Sequence, residues 1–255
     1  MTIPTTRIVL ITGGSRGLGR ASALALAEPG TGVVITYRSQ AAEADAVVAE
    51  IAAKGGSAVA LQLDTSVSAG FPAFVAALRE AIKAKWDSEI IHALVNNAGV
   101  GINMPFADTT EDAFDQMFAM HVKGVFFLTQ KLLPVIADGG RIVNVSSGLA
   151  RFSMAGYSAY AAAKGAVEVM SRYMAQELGP RGITVNVIAP GAIETDFGGG
   201  AVRDNAALNA GIASQTALGR VGQPDDIGGA VAALLSPGNR WVNAQRIEVS
   251  GGVLI

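Results

Sequence analysis

Three side chains carry the chemistry most readily read from this chain: Ser147, Tyr160 and Lys164, all within the stretch RIVNVSSGLARFSMAGYSAYAAAK from Arg141 to Lys164. Tyr160 and Lys164 stand four apart in an Ala-rich run opening at Ser158, which puts both on one helical face near its start. A free tyrosine titrates near pH ~10, so acid/base work near neutrality asks for a shift of roughly 3 units, or about 4 kcal/mol. One ammonium about 4 Å away, at an effective dielectric near 20, supplies about 4 kcal/mol. The spacing therefore predicts a tyrosine tuned by Lys164, with the Ser147 hydroxyl holding a carbonyl or its developing oxyanion. Taken alone, a tyrosine four before a lysine is far more often an amphipathic surface tyrosine beside a solvated charge, so the rest of the chain must decide.

The elements around this stretch read as a repeated strand and helix pattern. Arg7 to Ile11 is a short apolar strand, followed by Thr12-Gly13-Gly14-Ser15-Arg16-Gly17-Leu18-Gly19 and a helical run from Arg20 to Glu28. Strand, glycine turn and helix in that order let backbone amides and a helix N-terminus face a pyrophosphate. The candidate contacts are Gly13, Ser15, Arg16, Gly17, Leu18 and Gly19, the alternative being a plain glycine turn. The second strand, Gly32 to Tyr37, runs into Tyr37-Arg38-Ser39, with no acid to accept a ribose 2'-hydroxyl. Arg38 and Ser39, with Arg16 approaching, suit a 2'-phosphate instead, which favours NADP over NAD.

After a helix from Ala41 to Lys54, the strand Ala58 to Leu63 ends at Asp64 and Thr65. Asp64 is a candidate for the adenine side of a dinucleotide or for capping the next helix, about Phe71 to Lys85. The strand Ile91 to Val95 ends in Asn96-Asn97-Ala98-Gly99, where paired amides can tie strands together and Gly99 leaves room for a cofactor. Two long helical runs, Glu111 to Ile136 and Ser158 to Leu178, are apolar on nearly every side, so each needs cover on two faces. The sheet supplies one cover, and a symmetry mate is predicted to supply the other. The strand Ile183 to Ile188 ends in Pro190-Gly191-Ala192-Ile193-Glu194-Thr195, with Pro190, Gly191, Ile193 and Thr195 near the site. The weakly patterned run at about 192–216 reads as a mobile cover. A helix from Asp225 to Leu235 and a strand from Arg246 to Val249 close the chain.

Composition narrows the class. At 255 residues, with 50% apolar and 16% charged, the chain suits one α/β domain with a large buried sheet. A formal net charge of -2 and no basic run point away from nucleic acid and anionic membrane. The absence of cysteine removes disulfides, thiol catalysis and cysteine-held metals, and no metal site is expected. The N-terminal apolar run is too short for a signal peptide, and the longest uncharged run, Ile90 to Ala107, is interrupted by His92, Asn96, Asn97 and Asn103. A cytoplasmic protein is expected.

Together these residues resemble the short-chain dehydrogenase/reductase family over essentially the whole chain, close to NADP-using members such as 3-oxoacyl reductases and glucose 1-dehydrogenases. The resemblance rests on TGGSRGLG, NNAG at 96–99, Ser147 with Tyr160 and Lys164, PGAIET at 190–195 and GRVGQPDDI at 219–227. It implies a Rossmann-type, doubly wound parallel sheet of seven strands in order 3-2-1-4-5-6-7, in a three-layer α/β/α single domain. It further implies Tyr160 as acid/base, Lys164 lowering its pKa and holding the nicotinamide ribose, and Ser147 orienting the carbonyl. Ile193 and Thr195 would lie near the carboxamide, with Asn97, Ala98 and Gly99 on the cofactor side, and a homo-oligomer, dimer or tetramer, would form.

Two positions depart from the family pattern. His121, in Met120-His121-Val122-Lys123-Gly124, stands where an asparagine usually completes a catalytic tetrad. In the family that asparagine is thought to act through its main-chain carbonyl, so His121 is kept among the catalytic candidates while a structural replacement stays open. At Asn243-Ala244-Gln245 a glycine commonly precedes the glutamine, a difference assigned to packing near the last strand. The expected activity is hydride transfer between a nicotinamide and a carbonyl or secondary alcohol of a small molecule. A 3-oxoacyl thioester, a sugar and a small xenobiotic ketone all remain open. The competing class is a cofactor-binding regulator or structural subunit without turnover. Met104, Phe106, Leu149, Phe152, Met154, Tyr157 and Phe197 are expected to border an apolar pocket.

Overall fold

In the computed structural model, which describes residues 7–255, branched apolar runs of four to seven residues become strands buried on both faces. The strands are β1 (Arg7–Ile11), β2 (Thr31–Tyr37), β3 (Ser57–Gln62), β4 (Ile91–Asn96), β5 (Ile136–Val145), β6 (Thr184–Pro190) and β7 (Arg246–Val249). All pair in parallel in the order β3-β2-β1-β4-β5-β6-β7, the arrangement expected from the sequence. Helices cross over between strands: α1 (Gly17–Leu26), α2 (Ala41–Ala53), α3 (Phe71–Trp86), α4 (Glu111–Phe118), α5 (Val125–Leu132) and α6 (Ser158–Leu178). Two short ones, α7 (Ala201–Asp204) and α8 (Ala206–Ser214), precede α9 (Pro224–Leu235). The two faces of the sheet carry separate apolar clusters. One joins Val9, Ile11, Val33 and Ile35 to Val47, Ile51, Val231 and Leu235; the other joins Leu10, Val34 and Leu94 to Phe71, Leu78, Leu128 and Ala175.

The predicted helix from Glu111 to Ile136 is not continuous. It is interrupted at Ala119–Gly124 by a π-helical turn, and Pro134 converts its last turn to a 3-10 segment, Leu133–Val135, as a proline cannot donate to the preceding turn. Strand β5 starts at Ile136, five residues before Arg141. Its first residue pairs with Ile91, and the ladder then shifts register before resuming at Ala93 and Arg141, with Gly139 at φ 73°.

Where β4 and β5 reach the site, their paired residues are Asn96 and Asn144. Asn96 Nδ2 donates to Asn144 Oδ1 at 2.8 Å and to Thr129 Oγ1 at 3.0 Å, and Asn144 Nδ2 donates to Ser171 Oγ at 2.8 Å. This buried polar ladder ties α5, two central strands and α6 together. Among the described residues no helix is long and apolar enough to cross a membrane, and no group of His, Asp and Glu could hold a metal.

Candidate active site

The carboxyl ends of β1, β4, β5 and β6 meet at one edge of the sheet, where a parallel α/β sheet opens a crevice. The glycine turn after β1 is fixed by Thr12, whose hydroxyl accepts from the amides of Asn97 and Ala98, both at 3.0 Å. Asn97 Nδ2 returns hydrogen bonds to the carbonyls of Thr12 and Gly13, at 2.9 and 3.1 Å. Gly19 packs so close that a Cβ there would lie 2.2 Å from the Gly13 oxygen. At Gly17, with φ 53°, the space where a Cβ would sit faces Thr195 at 3.7 Å. Helix α1 starts at that residue with no side-chain cap and no acid in its first turn, so its amides are free for an anion. These residues fit the pyrophosphate of a dinucleotide.

Ser15 is half-buried in the turn, Leu18 packs on the core from it, and Arg16, Arg38 and Ser39 are exposed beyond it. Among the described residues neither Arg16 nor Arg38 takes part in a salt bridge, which leaves both guanidinium groups for a phosphate dianion. Tyr37 packs its ring against the core. Asp64 Oδ1 accepts from the Ser66 amide at 2.9 Å and the Ser66 hydroxyl at 2.6 Å, forming the turn that follows β3. Burial pushes its carboxyl up, but those hydrogen bonds and the Arg38 charge outweigh this and hold it below the usual range. Thr65 is buried, its carbonyl against Gly124 of the π-turn.

The opposite wall is Pro190 to Thr195. Gly191 donates to the Val249 carbonyl at 3.1 Å, Gly222 to Ala192 at 2.9 Å, and Glu194 to Gly222 at 3.0 Å. The PGAIET and GRVGQPDDI segments are thus laced together, with Ile193 bridging Gly222.

At the head of α6, Tyr160 and Lys164 are both buried, at 6% and 5% exposure. Lys164 Nζ donates to the Val145 carbonyl at 2.7 Å and lies 5.6 Å from the centroid of the Tyr160 ring. Ser147, two residues beyond β5, is in extended conformation, its Oγ accepting from the Leu149 amide at 3.2 Å. The electrostatics differ from the spacing argument. Burial pushes the Tyr160 hydroxyl well above its ordinary value, against a downward pull from the Ser147 hydroxyl, and burial alone brings Lys164 down to about 7. The expected depression of Tyr160 by Lys164 does not arise from the protein's own groups. A fully charged ammonium in a half-solvated setting would supply that pull, whereas desolvation at this site disfavours the charged form of both partners.

His121 comes to the same place through the π-turn. Its ring meets that of Tyr160 edge to face, centroids 5.3 Å apart, and its Nε2 lies 2.7 Å from the Val100 carbonyl oxygen. Gly99 makes room for that ring rather than for a cofactor alone: a Cβ there would sit 2.6 Å from His121 Cε1.

Behind Ser147 stands a chain of ion pairs that spacing did not reveal. Ser146 Oγ donates to Glu168 at 2.7 Å, Arg246 Nε donates to the same carboxylate oxygen at 2.7 Å, and Arg246 Nη2 approaches the Ser147 carbonyl at 3.4 Å. Arg246 also reaches Glu248 at 2.9 Å, and Arg151 grips Glu248 with two hydrogen bonds of 2.7 Å. The only sequence signal was the alternation of Arg246 and Glu248 along one face of β7.

A cleft of about 530 Å³ abuts the site, lined by Phe106, Leu149, Met154 and Tyr157 among others. Met104 faces a smaller neighbouring hollow, and Phe152 instead packs against Gly148 and under Arg151. Phe197 lies over Tyr160, ring centroids 5.6 Å apart, and presses on Gly101, where a Cβ would sit 2.3 Å away. The departure at Ala244 is one of backbone conformation rather than packing. Its φ is 59°, in the left-handed region, with its amide donating to the Val185 carbonyl at 2.9 Å.

The profile described as enoyl-(acyl carrier protein) reductase matches residues 13–254. The chain is 39% identical over 247 residues to an uncharacterized oxidoreductase of Methylorubrum extorquens, covering 97% of each chain. It is 37% identical over 257 residues to tetrahydroxynaphthalene reductase PfmaG of Pestalotiopsis fici, covering 96% of this chain and 91% of that one. The solved structure of the angucycline C-6 ketoreductase LanV with bound NADP matches with a TM-score of 0.93 at 35% identity, over 98% of this chain and 96% of that one.

Proposed function

The chain belongs to the short-chain dehydrogenase/reductase family, and on that premise we propose that it is an NADPH-dependent carbonyl reductase, reversible as an alcohol dehydrogenase. The observation that carries this reading is the convergence of Ser147, Tyr160 and Lys164 beside an uncapped helix N-terminus that fits a pyrophosphate. NADPH supplies the hydride. Gly13 to Gly19 hold the pyrophosphate, Arg16, Arg38 and Ser39 hold the 2'-phosphate, and Pro190 to Thr195 close over the nicotinamide side. Ser147 orients the substrate carbonyl and Tyr160 gives its proton to the carbonyl oxygen. In reduction the neutral hydroxyl is the competent form, and burial keeps Tyr160 in that form throughout the neutral range. Lys164, held by Val145, orients the ribose.

The substrate class that suits the cleft is an apolar, ring-bearing ketone. Phe106, Leu149, Met154 and Tyr157 offer ring faces and apolar surface, with Asn103, Ser153 and Ser158 as a few polar groups among them, a balance that suits a ring-bearing ketone better than a sugar. PfmaG and LanV, named for reductions of naphthalene and angucycline compounds, support the same class. Phe197 must swing off Tyr160 to admit substrate, and Gly198, Gly199 and Gly200, all with φ between 61° and 79°, are a ready pivot. The segment at about 192–216 is therefore the cover of the site. The exposed Phe114, Phe126, Phe127 and Tyr173, on α4, α5 and α6, support an isologous interface through those helices, in a dimer or tetramer. The reading places the enzyme in the cytoplasm.

NADPH oxidation measured with a polycyclic aromatic ketone, a 3-oxoacyl thioester and an aldose tests this. The ring-bearing ketone is expected to be turned over best, and Tyr160→Phe to abolish that turnover. Tight NADPH binding without turnover of any substrate would establish a non-catalytic regulator instead.

A further inference from the structure

Ser147 stands on backbone that no strand or helix holds. A bond from the Ser146 amide to the Ile188 carbonyl, 2.7 Å, closes the ladder of β5 on β6, and past it the Ser147 carbonyl accepts only from the Ala150 amide, at 3.1 Å in the turn that follows. Charges of alternating sign surround this short stretch. Glu168 follows Lys164 by one turn of α6, and the sheet register sets Arg246 beside Val187 and Val187 beside Asn144, in the row that α6 crosses at Ser171. One oxygen of Glu168 takes the Ser146 hydroxyl and Arg246 Nε, both at 2.7 Å. The other two nitrogens of that guanidinium reach the Ser147 carbonyl at 3.4 Å and Glu248 at 2.9 Å. Glu168 and Arg246 are largely buried, with side chains 14% and 24% exposed. On the far side of Ser147, Arg151 holds Glu248 and the carbonyls of Val253 and Leu254, at 2.8 and 3.1 Å. A tie between α6 and β7 alone would not need contacts on residues 146 and 147, yet both Glu168 and Arg246 make one there.

We propose that Glu168 and Arg246 are positioning residues for Ser147, which fix its hydroxyl relative to Tyr160 by tying the backbone at 146–147 to the helix that carries the tyrosine. A planar guanidinium with donors on three nitrogens can span α6, the Ser147 backbone and β7 at once, which a point charge cannot. The Ser146 hydroxyl strengthens the tie, since it also approaches the Lys164 carbonyl at 3.4 Å. Burial pushes the Tyr160 hydroxyl up and the Ser147 hydroxyl draws it back, so the two groups whose separation is set in this way already act on one another. Neither Glu168 nor Arg246 touches substrate; they act through Ser147, where an error of about 1 Å costs rate steeply. This rests on the reading of Ser147 and Tyr160 as the groups that meet the substrate carbonyl.

A double-mutant cycle on the full chain, read as NADPH oxidation with the ring-bearing ketone, tests this. Arg246→Lys keeps the charge between Glu168 and Glu248 but cannot span three acceptors. It is expected to lower kcat about tenfold, with the KM for ketone and the Kd for NADPH within about threefold. Ser147→Ala alone is expected to lower kcat about 100-fold. Adding Arg246→Lys to Ser147→Ala should then cost less than about twofold more, because nothing is left to position. A full tenfold further loss in that background overturns the proposal. So does an Arg246→Lys enzyme whose urea midpoint falls while its kcat stays unchanged, the mark of a purely structural tie. An unchanged kcat in Ser147→Ala would overturn the underlying reading, and the proposal with it. Should Arg246→Lys not fold, the same cycle is run with Glu168→Gln, which keeps an oxygen for Ser146 and gives up the ion pair, and the same outcomes decide.

Discussion

The two walls of the crevice are built on opposite electrostatic principles. On the side of β1 and β2, the charged groups, Arg16 and Arg38, stand in solvent and the precision lies in backbone: Thr12 and Asn97 fix the glycine turn, and close packing at Gly19 seats α1. On the side of β5 and α6, the ionisable groups themselves are buried, and Tyr160, Lys164 and His121 are all driven toward their neutral forms. On the proposed reading the first wall binds and the second reacts. Binding needs donors presented to a ligand that brings its own charge, while proton transfer needs groups whose charge is sensitive to their surroundings.

The comparison breaks most sharply at Tyr160. Tyr160→Phe is expected to cut kcat by about 10³–10⁴ while the Kd for NADPH, measured by fluorescence titration, stays within about threefold. A matching loss of NADPH affinity would mean the walls are not separable. Next in size is the pH signature of the reacting wall. Lys164 titrates near 7 in the folded protein and near 10.5 when unfolded, so between those values the unfolded chain binds the extra proton and stability rises with pH. Urea unfolding of the protein without cofactor should show the stability of Lys164→Met relative to the parent falling by on the order of 4 kcal/mol between pH 6.5 and pH 10.5. A flat difference would place Lys164 in a solvated setting.

The binding wall is probed at Arg38. Arg38→Ala should raise the KM for NADPH by about 10- to 100-fold, the worth of roughly 1.5–3 kcal/mol for a charge-assisted hydrogen bond, and leave the KM for NADH nearly unchanged. Equal losses for both would remove Arg38 from 2'-phosphate recognition. The smallest effect expected is at Ala244, away from both walls. Ala244→Gly relieves a left-handed backbone at φ 59° and should stabilise the fold by about 0.5–1 kcal/mol, read as a rise in the urea midpoint.

What could be read from the sequence follows the same division. The glycine turn, Arg38 and the Tyr160 and Lys164 pair were legible because each is a local spacing, set by one turn or one helical face. The alternation of strands and helices pointed to a parallel sheet, its strand order came with the family resemblance, and the amides of Asn96 and Asn97 were legible as strand ties. The break at His121 was not legible, because the run around it is apolar on nearly every side and the one-residue offset of a π-turn leaves no mark in such a pattern. The start of β5 was hidden by Gly139 and Gly140. The link from Arg246 to Glu168 spans 78 residues, and only the folded sheet brings those charges together. The sign of the shift at Tyr160 was missed for a related reason: spacing tells which groups are neighbours but not how little water they share.

The polar ladder through Thr129, Asn96, Asn144 and Ser171 has a consequence for how the chain finds its fold. Beside the two asparagines the strands carry branched apolar residues, Leu94 and Val95 in β4 and Ile142, Val143 and Val145 in β5, and sliding one past the other by two places would keep the same faces inward. Such a slip would be nearly invisible to hydrophobic packing. It would also separate Asn96 from Asn144 and strand two amides in the interior, each at a penalty of about 1–3 kcal/mol. The ladder therefore acts as an error check during folding, rejecting misaligned sheets that the apolar residues alone would accept.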